Sequence, residues 1–172
     1  MNNIYIPAIG NQDFIYIQPQ IYSENEDYDN ILVTGLIDNE IEQSIYISTT
    51  LLIKQKIKIP NFLHIHFPDY NYYKSGISAS LGIYYSLLCH LSNRKLKNSY
   101  LMTGEIDIEG NIYEIGQFKE KMNAYMKSEF DYFIVPEQNV CHSNEGSNVI
   151  PVSNIYELDI VMSVLETNNE IK

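Results

Sequence analysis

Serine and lysine side chains in this sequence have the types and settings needed for covalent chemistry. Ser78 lies in the run Tyr73-Lys74-Ser75-Gly76-Ile77-Ser78-Ala79-Ser80, where a glycine-containing turn delivers a serine onto the start of an apolar segment. Behind it Leu81, Tyr84, Tyr85, Leu88 and Leu91 recur at spacings of three and four, which predicts the one-sided stripe of a helix packed on a core. A serine at a helix N-terminus has unpaired backbone amides and the positive end of the helix dipole beside it, so negative charge developing on a bound acyl group is stabilised there. Its hydroxyl is a weak nucleophile until a neighbouring base takes the proton. Lys119 and Lys121 lie on opposite borders of a second helical face formed by Phe118, Met122, Tyr125 and Met126, and periodicity does not choose between them. Plainer uses stand beside these: Ser78 as an N-cap, and a border lysine as a snorkelling side chain.

His64 and His66 are two apart on an expected strand, so both rings project from one face, as a metal-binding pair would. Only Cys89-His90 and Cys141-His142 are available to complete such a site, and neither has zinc-finger spacing. No metal and no cofactor is therefore expected. The histidines are read as support for the serine loop, or simply as two polar residues on a half-buried strand.

Four segments carry a family resemblance. They are His64-Ile65-His66-Phe67-Pro68, Gly76-Ile77-Ser78-Ala79-Ser80, Met102-Thr103-Gly104-Glu105-Ile106 and Ile115-Gly116-Gln117-Phe118-Lys119-Glu120-Lys121. Their order and separations, with Thr103 twenty-five and Lys121 forty-three positions after Ser78, resemble the proteolytic domain of the Lon protease family. That family's motifs read H-x-H-x-P, K-D-G-P-S-A-G, M-T-G-E-I and P-I-G-G-L-K-E-K. The resemblance implies Ser78 as nucleophile, Lys121 as its base, Thr103 as the group that orients the lysine, and Gly76, Ile77 and Ala79 as the serine loop whose amides form an oxyanion hole. His64, His66 and Glu105 are placed around that dyad, Glu105 sharing a strand face with Thr103. Departures from the pattern include Ser75, Ile77 and Ser80 in the serine loop, and Gln117, where the family's glycine is free to take a positive φ that glutamine is not. The serine segment is closer to the G-x-S-A-S of the archaeal Lon branch.

Composition bounds the setting of this chemistry. The 172 residues are 45% hydrophobic, enough for one buried core, and an α+β fold is expected over 1–172 as a single compact Lon-like domain of mixed sheets with packed helices. Eleven basic against 22 acidic residues give a net charge of −11, which disfavours nucleic acid and anionic membrane surfaces as partners. No apolar run approaches the length of a membrane span, and two unpaired cysteines suit a reducing, cytoplasmic compartment. No G-x-x-x-x-G-K-[ST] loop occurs, so cleavage is expected to be ATP-independent in itself or served by a separate ATPase or regulatory protein.

The elements that must position these residues follow from local pattern. One or two strands are expected in 3–19, a solvated acidic hairpin loop in 23–30, and a strand over 30–37. Asp38 caps a helix over 39–54, and a strand spans 61–67. A strand over 100–108 turns at Glu109-Gly110-Asn111 into 112–115 as a hairpin. The lysine helix begins near Phe118, strands follow at 130–135 and 149–152, a polar loop spans 137–147, and a helix over 155–165 precedes a fraying tail from Glu166. The function expected is a serine endopeptidase acting on peptide or unfolded protein through an acyl-enzyme. The alternatives are a catalytically silent Lon-like binding or assembly module and, more distantly, a metal-dependent hydrolase built on His64 and His66.

Overall fold

The computed structural model describes residues 3–9, 14–25, 30–69, 71–140 and 148–167. Among these residues the architecture is the expected α+β: four helices packed with three sheets, two of them mixed in strand direction. The first strands, β1 (Ile4–Ile9) and β2 (Phe14–Ile17), form an antiparallel pair. Next come β3 (Gln20–Glu24) and β4 (Asn30–Thr34), then helix α1 (Asn39–Lys54) and strand β5 (Phe62–His66). A 3₁₀ turn at Ile77–Ala79 leads into α2 (Ser80–Leu91), followed by the short strands β6 (Tyr100–Met102), β7 (Glu105–Ile106) and β8 (Ile112–Tyr113). Helix α3 (Phe118–Met126), strands β9 (Tyr132–Pro136) and β10 (Val149–Val152), and helix α4 (Ile155–Thr167) complete the order.

The larger sheet runs β10-β9-β6-β1-β2, parallel throughout except for β2 at its edge. The second runs β3-β5-β4, with β4 and β5 parallel and joined across α1. Because β5 lies between β3 and β4, the acidic 23–30 segment does not close a hairpin: Ser23 and Glu24 belong to β3, and 26–29 lie outside the described residues. Asp38 caps α1 as expected, its Oδ1 accepting from the Ile41 amide at 2.9 Å. The strand before it stops at Thr34 because Gly35 takes φ +125° and passes so close to Phe67 that a Cβ there would sit 2.5 Å from the Phe67 carbonyl oxygen.

The helix after Ser78 departs most from its expected form. Its apolar stripe reads as one-sided, yet every residue from Ser80 to Cys89 is buried, because α1 packs on one side and β1, β6 and β7 on others. A helix hydrophobic all round belongs in the centre of a core, and mean apolarity rather than periodicity was the signal for it. Gly82 permits this approach: a Cβ there would lie 2.5 Å from Ile6 Cγ1 on β1.

Three other expectations shift. The single strand over 100–108 breaks at Thr103-Gly104, so β6 joins the large sheet while β7 pairs with β8 as a separate hairpin. Met126 is 67% exposed; α3 instead buries Lys121, Ala124 and Tyr125. Tyr125 and Phe118 seat the helix against Phe133 of β9, at ring-centroid distances of 5.1 and 6.4 Å. Glu166 does not fray: it lies within α4 and accepts from the Tyr100 hydroxyl at 2.6 Å and the Lys97 amide at 2.7 Å, while 168–172 lie outside the described residues.

Replacing Gly82 by alanine pushes a methyl into Ile6 across a helix–strand contact with no slack. Urea unfolding should register a loss of about 1–3 kcal/mol, the usual range for overpacking a close-packed core.

Candidate active site

Four segments converge on the 3₁₀ turn that carries Ser78. From the α1 side, Asp38 uses its second oxygen to accept from the Gly76 amide at 3.3 Å, so one carboxylate both caps a helix and holds the serine loop. The backbone reinforces this through Asp38 N–H to Lys74 O at 3.1 Å and Lys74 N–H to Leu36 O at 2.8 Å. Gly76 itself has φ +104°, a conformation that favours glycine and that turns the chain into the 3₁₀ segment.

From the opposite side, the break between β6 and β7 wraps the turn. The Gly104 amide donates to Ser78 O at 2.9 Å, and the Leu81 amide donates to Gly104 O at 3.1 Å. Ser80, one of the departures from the family pattern, bridges the same segment. Its buried hydroxyl donates to Gly104 O at 3.0 Å and accepts from the Ile106 amide at 2.9 Å. A glycine at position 80 would have no such hydroxyl, so the substitution adds an anchor between α2 and β7.

Lys121 completes the cluster from α3. Its Nζ lies 2.9 Å from Ser78 Oγ and 3.0 Å from Thr103 Oγ1. Thr103 in turn donates to Ser78 O at 3.2 Å, tying the lysine's neighbour to the serine's own backbone. Lys121 is only 4% exposed, and this burial pulls its amine down from 10.5 to about 8. Lys119, two residues away, is exposed, so burial separates the two lysines that periodicity left equivalent. Gln117 takes φ +55° just before the helix, as feared for a non-glycine residue at that position; its carbonyl accepts from the Lys121 amide at 3.1 Å. The chain therefore holds the backbone shape with glutamine, at a cost on the order of 1 kcal/mol.

Ser78 and Lys121 line a cleft of about 340 Å³. Pro7 and Ala8 of β1, Ile77 and Ile115 provide apolar wall, and Gly76, Gly116 and Gln117 provide backbone and polar surface. Ala79 N–H bonds Gly76 O and Ser80 N–H bonds Ile77 O, whereas the amides of Ile77 and Ser78 have no acceptor among the described residues.

Other expected participants are arranged differently. His64 and His66 do share a face, but their rings meet the Thr34 hydroxyl at the end of β4, at 2.9 and 2.8 Å, and neither lines the cleft. A single hydroxyl placed so donates to one ring and accepts from the other. Among the described residues no group of three or more His, Cys, Asp or Glu side chains is placed to hold a metal; Cys141 and His142 lie outside them. Cys89 is buried in α2 and its thiol is pushed up to about 12 by desolvation, an inert environment. Glu105 lines the cleft without pairing with Lys121.

Two supporting residues carried no periodic signal. Asp38 was legible as a cap but not as a clamp on Gly76. Lys74, 1% exposed, is the second. Its Nζ donates to Tyr72 O at 3.1 Å and to Asp69 O, gathering the approach to the serine loop, and desolvation lowers its pKa against the pull of Asp69. The available signal was its position as the leading lysine of the serine motif.

Residues 13–168 match the family model of the Lon protease (S16) C-terminal proteolytic domain. The chain is 31% identical over 143 residues to Lon protease of Aster yellows witches'-broom phytoplasma, covering 74% of this chain and 18% of that protein. Lon protease of Leptospira interrogans is 29% identical over 143 residues, covering 77% of this chain and 17% of its own. Lon protease of Buchnera aphidicola is 27% identical over 146 residues, covering 80% and 19%. The chain thus spans less than a fifth of the length of these relatives. With the match extending from β2 to the end of α4, this chain belongs to the family of Lon protease C-terminal proteolytic domains.

Proposed function

We propose that residues 1–172 act as one Lon-like domain that hydrolyses peptide bonds with Ser78 as nucleophile and Lys121 as general base. The single observation that carries this reading is a lysine amine held 2.9 Å from a serine hydroxyl while buried enough to titrate near about 8. At neutral pH a tenth or so of such an amine is uncharged, against less than a thousandth of an ordinary lysine. In the neutral form the hydrogen bond reverses and the Ser78 hydroxyl donates to Nζ, the geometry a general base needs. Thr103 fixes the direction of the amine by sharing its hydroxyl with Lys121 and Ser78 O.

The steps follow from these positions. A peptide lies in the cleft with its carbonyl carbon against Ser78 Oγ, and the Lys121 amine takes the hydroxyl proton as Oγ bonds to carbon. The negative oxygen that forms points to the free amides of Ile77 and Ser78, a contribution of roughly 3–4 kcal/mol per donor where it has been measured elsewhere. Protonated Lys121 gives its proton to the leaving amine, and an acyl-enzyme remains. Water, deprotonated by the same lysine, then releases the acid and restores Ser78. The substrates are peptides and unfolded segments, because an open cleft of this size takes an extended chain and not a folded surface. These 172 residues contain no phosphate loop, so peptide cleavage by them is independent of ATP, and delivery of folded substrates falls to an ATPase or regulatory protein outside these residues. A cytoplasmic setting suits the buried free thiol, and among the described residues no helix is long and apolar enough to cross a membrane.

Ser78→Ala and Lys121→Gln should each reduce kcat/KM on a flexible fluorogenic peptide by at least about 1,000-fold, and the double variant should be scarcely worse. Lys119→Gln, which alters an exposed lysine of the same helix, should change it less than twofold. Full activity in Ser78→Ala overturns Ser78 as the nucleophile. The rate should rise with pH through an apparent pKa near about 8, since only the neutral amine accepts a proton.

Burial of Lys121 also sets a stability signature independent of catalysis. Its folded pKa lies below the 10.5 of a free lysine, so between about 8 and 10.5 the unfolded chain binds more protons and stability rises with pH. Below about 8 both states are charged and the desolvation cost is carried in full. Wild type should therefore gain stability over Lys121→Met across that window, by up to roughly 3 kcal/mol, as measured by urea unfolding at paired pH values. A flat difference contradicts the buried amine.

A further inference from the structure

Three glutamates from separate elements surround the cleft: Glu40 in the first turn of α1, Glu105 in β7, and Glu114 just after β8. None of their carboxylates has a hydrogen-bond or ion-pair partner among the described residues, whose ion pairs are Lys54 with Glu109 and Arg94 with Asp159. Among the described residues the cleft's one lining cation is Lys121, buried and directed at Ser78. A cavity built around a nucleophile, with its basic group turned inward and its carboxylates left unpaired, has a definite electrostatic preference.

We propose that this cleft selects peptide segments carrying lysine or arginine beside the scissile bond and rejects acidic ones. The inference rests on the peptidase reading and names its substrate class. Basic side chains fit the surfaces in two ways: their aliphatic stems pack on Pro7, Ala8 and Ile115, and their cationic ends reach the carboxylates. A cleft lined by one sign of charge on low-dielectric walls focuses that field and raises the local concentration of oppositely charged ligand. The net charge of −11 adds to it at long range. An acidic segment meets three like charges and, among the described residues, no rim cation to offset them, so rejection is built in alongside attraction. Bringing cations to the rim does not require Lys121 to stay charged, so selection and general-base chemistry are compatible.

The test uses internally quenched peptides identical except for two flanking residues: Lys-Arg, Gln-Gln or Glu-Glu. At low ionic strength the kcat/KM ratio of basic to neutral peptide should be about five, from exposed pairs that are individually weak, and acidic to neutral should be about one fifth. Both ratios should approach one in Glu40→Gln/Glu105→Gln/Glu114→Gln and in about 0.5 M salt, where screening is short-ranged. The same peptides are titrated by fluorescence anisotropy against Ser78→Ala, in which binding is read without cleavage. If wild type cleaves no peptide but Ser78→Ala binds the basic one in a rim-dependent manner, the peptidase reading fails and the charge selection stands. Cleavage with ratios near one, or with a preference unchanged by the triple substitution, overturns the selection while leaving the peptidase intact. Absence of both cleavage and basic-peptide binding overturns both.

Discussion

Keeping an amine dry next to a hydroxyl is the constraint on which the rest of this structure depends. Lys121 loses hydration it would have on the surface, and the two oxygens at 2.9 and 3.0 Å replace it only in part. That imbalance is what lowers its pKa, so the feature that destabilises the folded state at neutral pH is the one on which the proposed general base depends. Much of the packing serves to hold it there. Helix α3 is short, yet Phe118 and Tyr125 bear on Phe133 of a central strand, and the left-handed Gln117 sets the angle at which the helix enters.

The serine side of the pair is fixed by a clamp with two jaws. One is Asp38, with one carboxylate oxygen on the first turn of α1 and the other on the Gly76 amide, coupling the first long helix to the loop. The other is the Gly104 crossing, where backbone and Ser80 hydrogen bonds lock α2 against the gap between β6 and β7. Thr103 stands where the jaws meet the lysine. A chain in which β6 ran on unbroken into β7 would have no such crossing, so the interruption of the strand belongs to the construction of the site.

The sequence carried much of this, unevenly. Helix α1 was legible to the residue because its cap and periodicity agree, and β10 because its apolar run is short and bounded. The serine turn was legible from its glycine and the apolar run behind it, but its distance to Lys121 only through motif spacing; amphipathicity left Lys119 and Lys121 tied, since it records a face and not a depth. The full burial of α2 was hidden because a stripe of large residues masked the small ones, Ser80, Gly82 and Ser86, that let neighbours close in from the other sides. The strand break at Thr103-Gly104 was hidden because β-forming residues flank it on both sides, Gly104 is its one local mark, and the contact of the Gly104 amide with the Ser78 carbonyl is tertiary. His64 and His66 looked like participants from their common face, but the partner of both rings is Thr34, thirty and more residues away in sequence and adjacent only through the parallel β4–β5 register.

The central claim is that a depressed lysine amine makes Ser78 nucleophilic. Covalent labelling tests it most directly: the protein is treated with a fluorophosphonate probe across a range of pH, and the modified residue is located by peptide mass spectrometry. The account predicts a single adduct on Ser78, with a labelling rate that rises through an apparent pKa near about 8 and collapses in Lys121→Gln. An unlabelled Ser78, or labelling that proceeds equally well in Lys121→Gln, would contradict it.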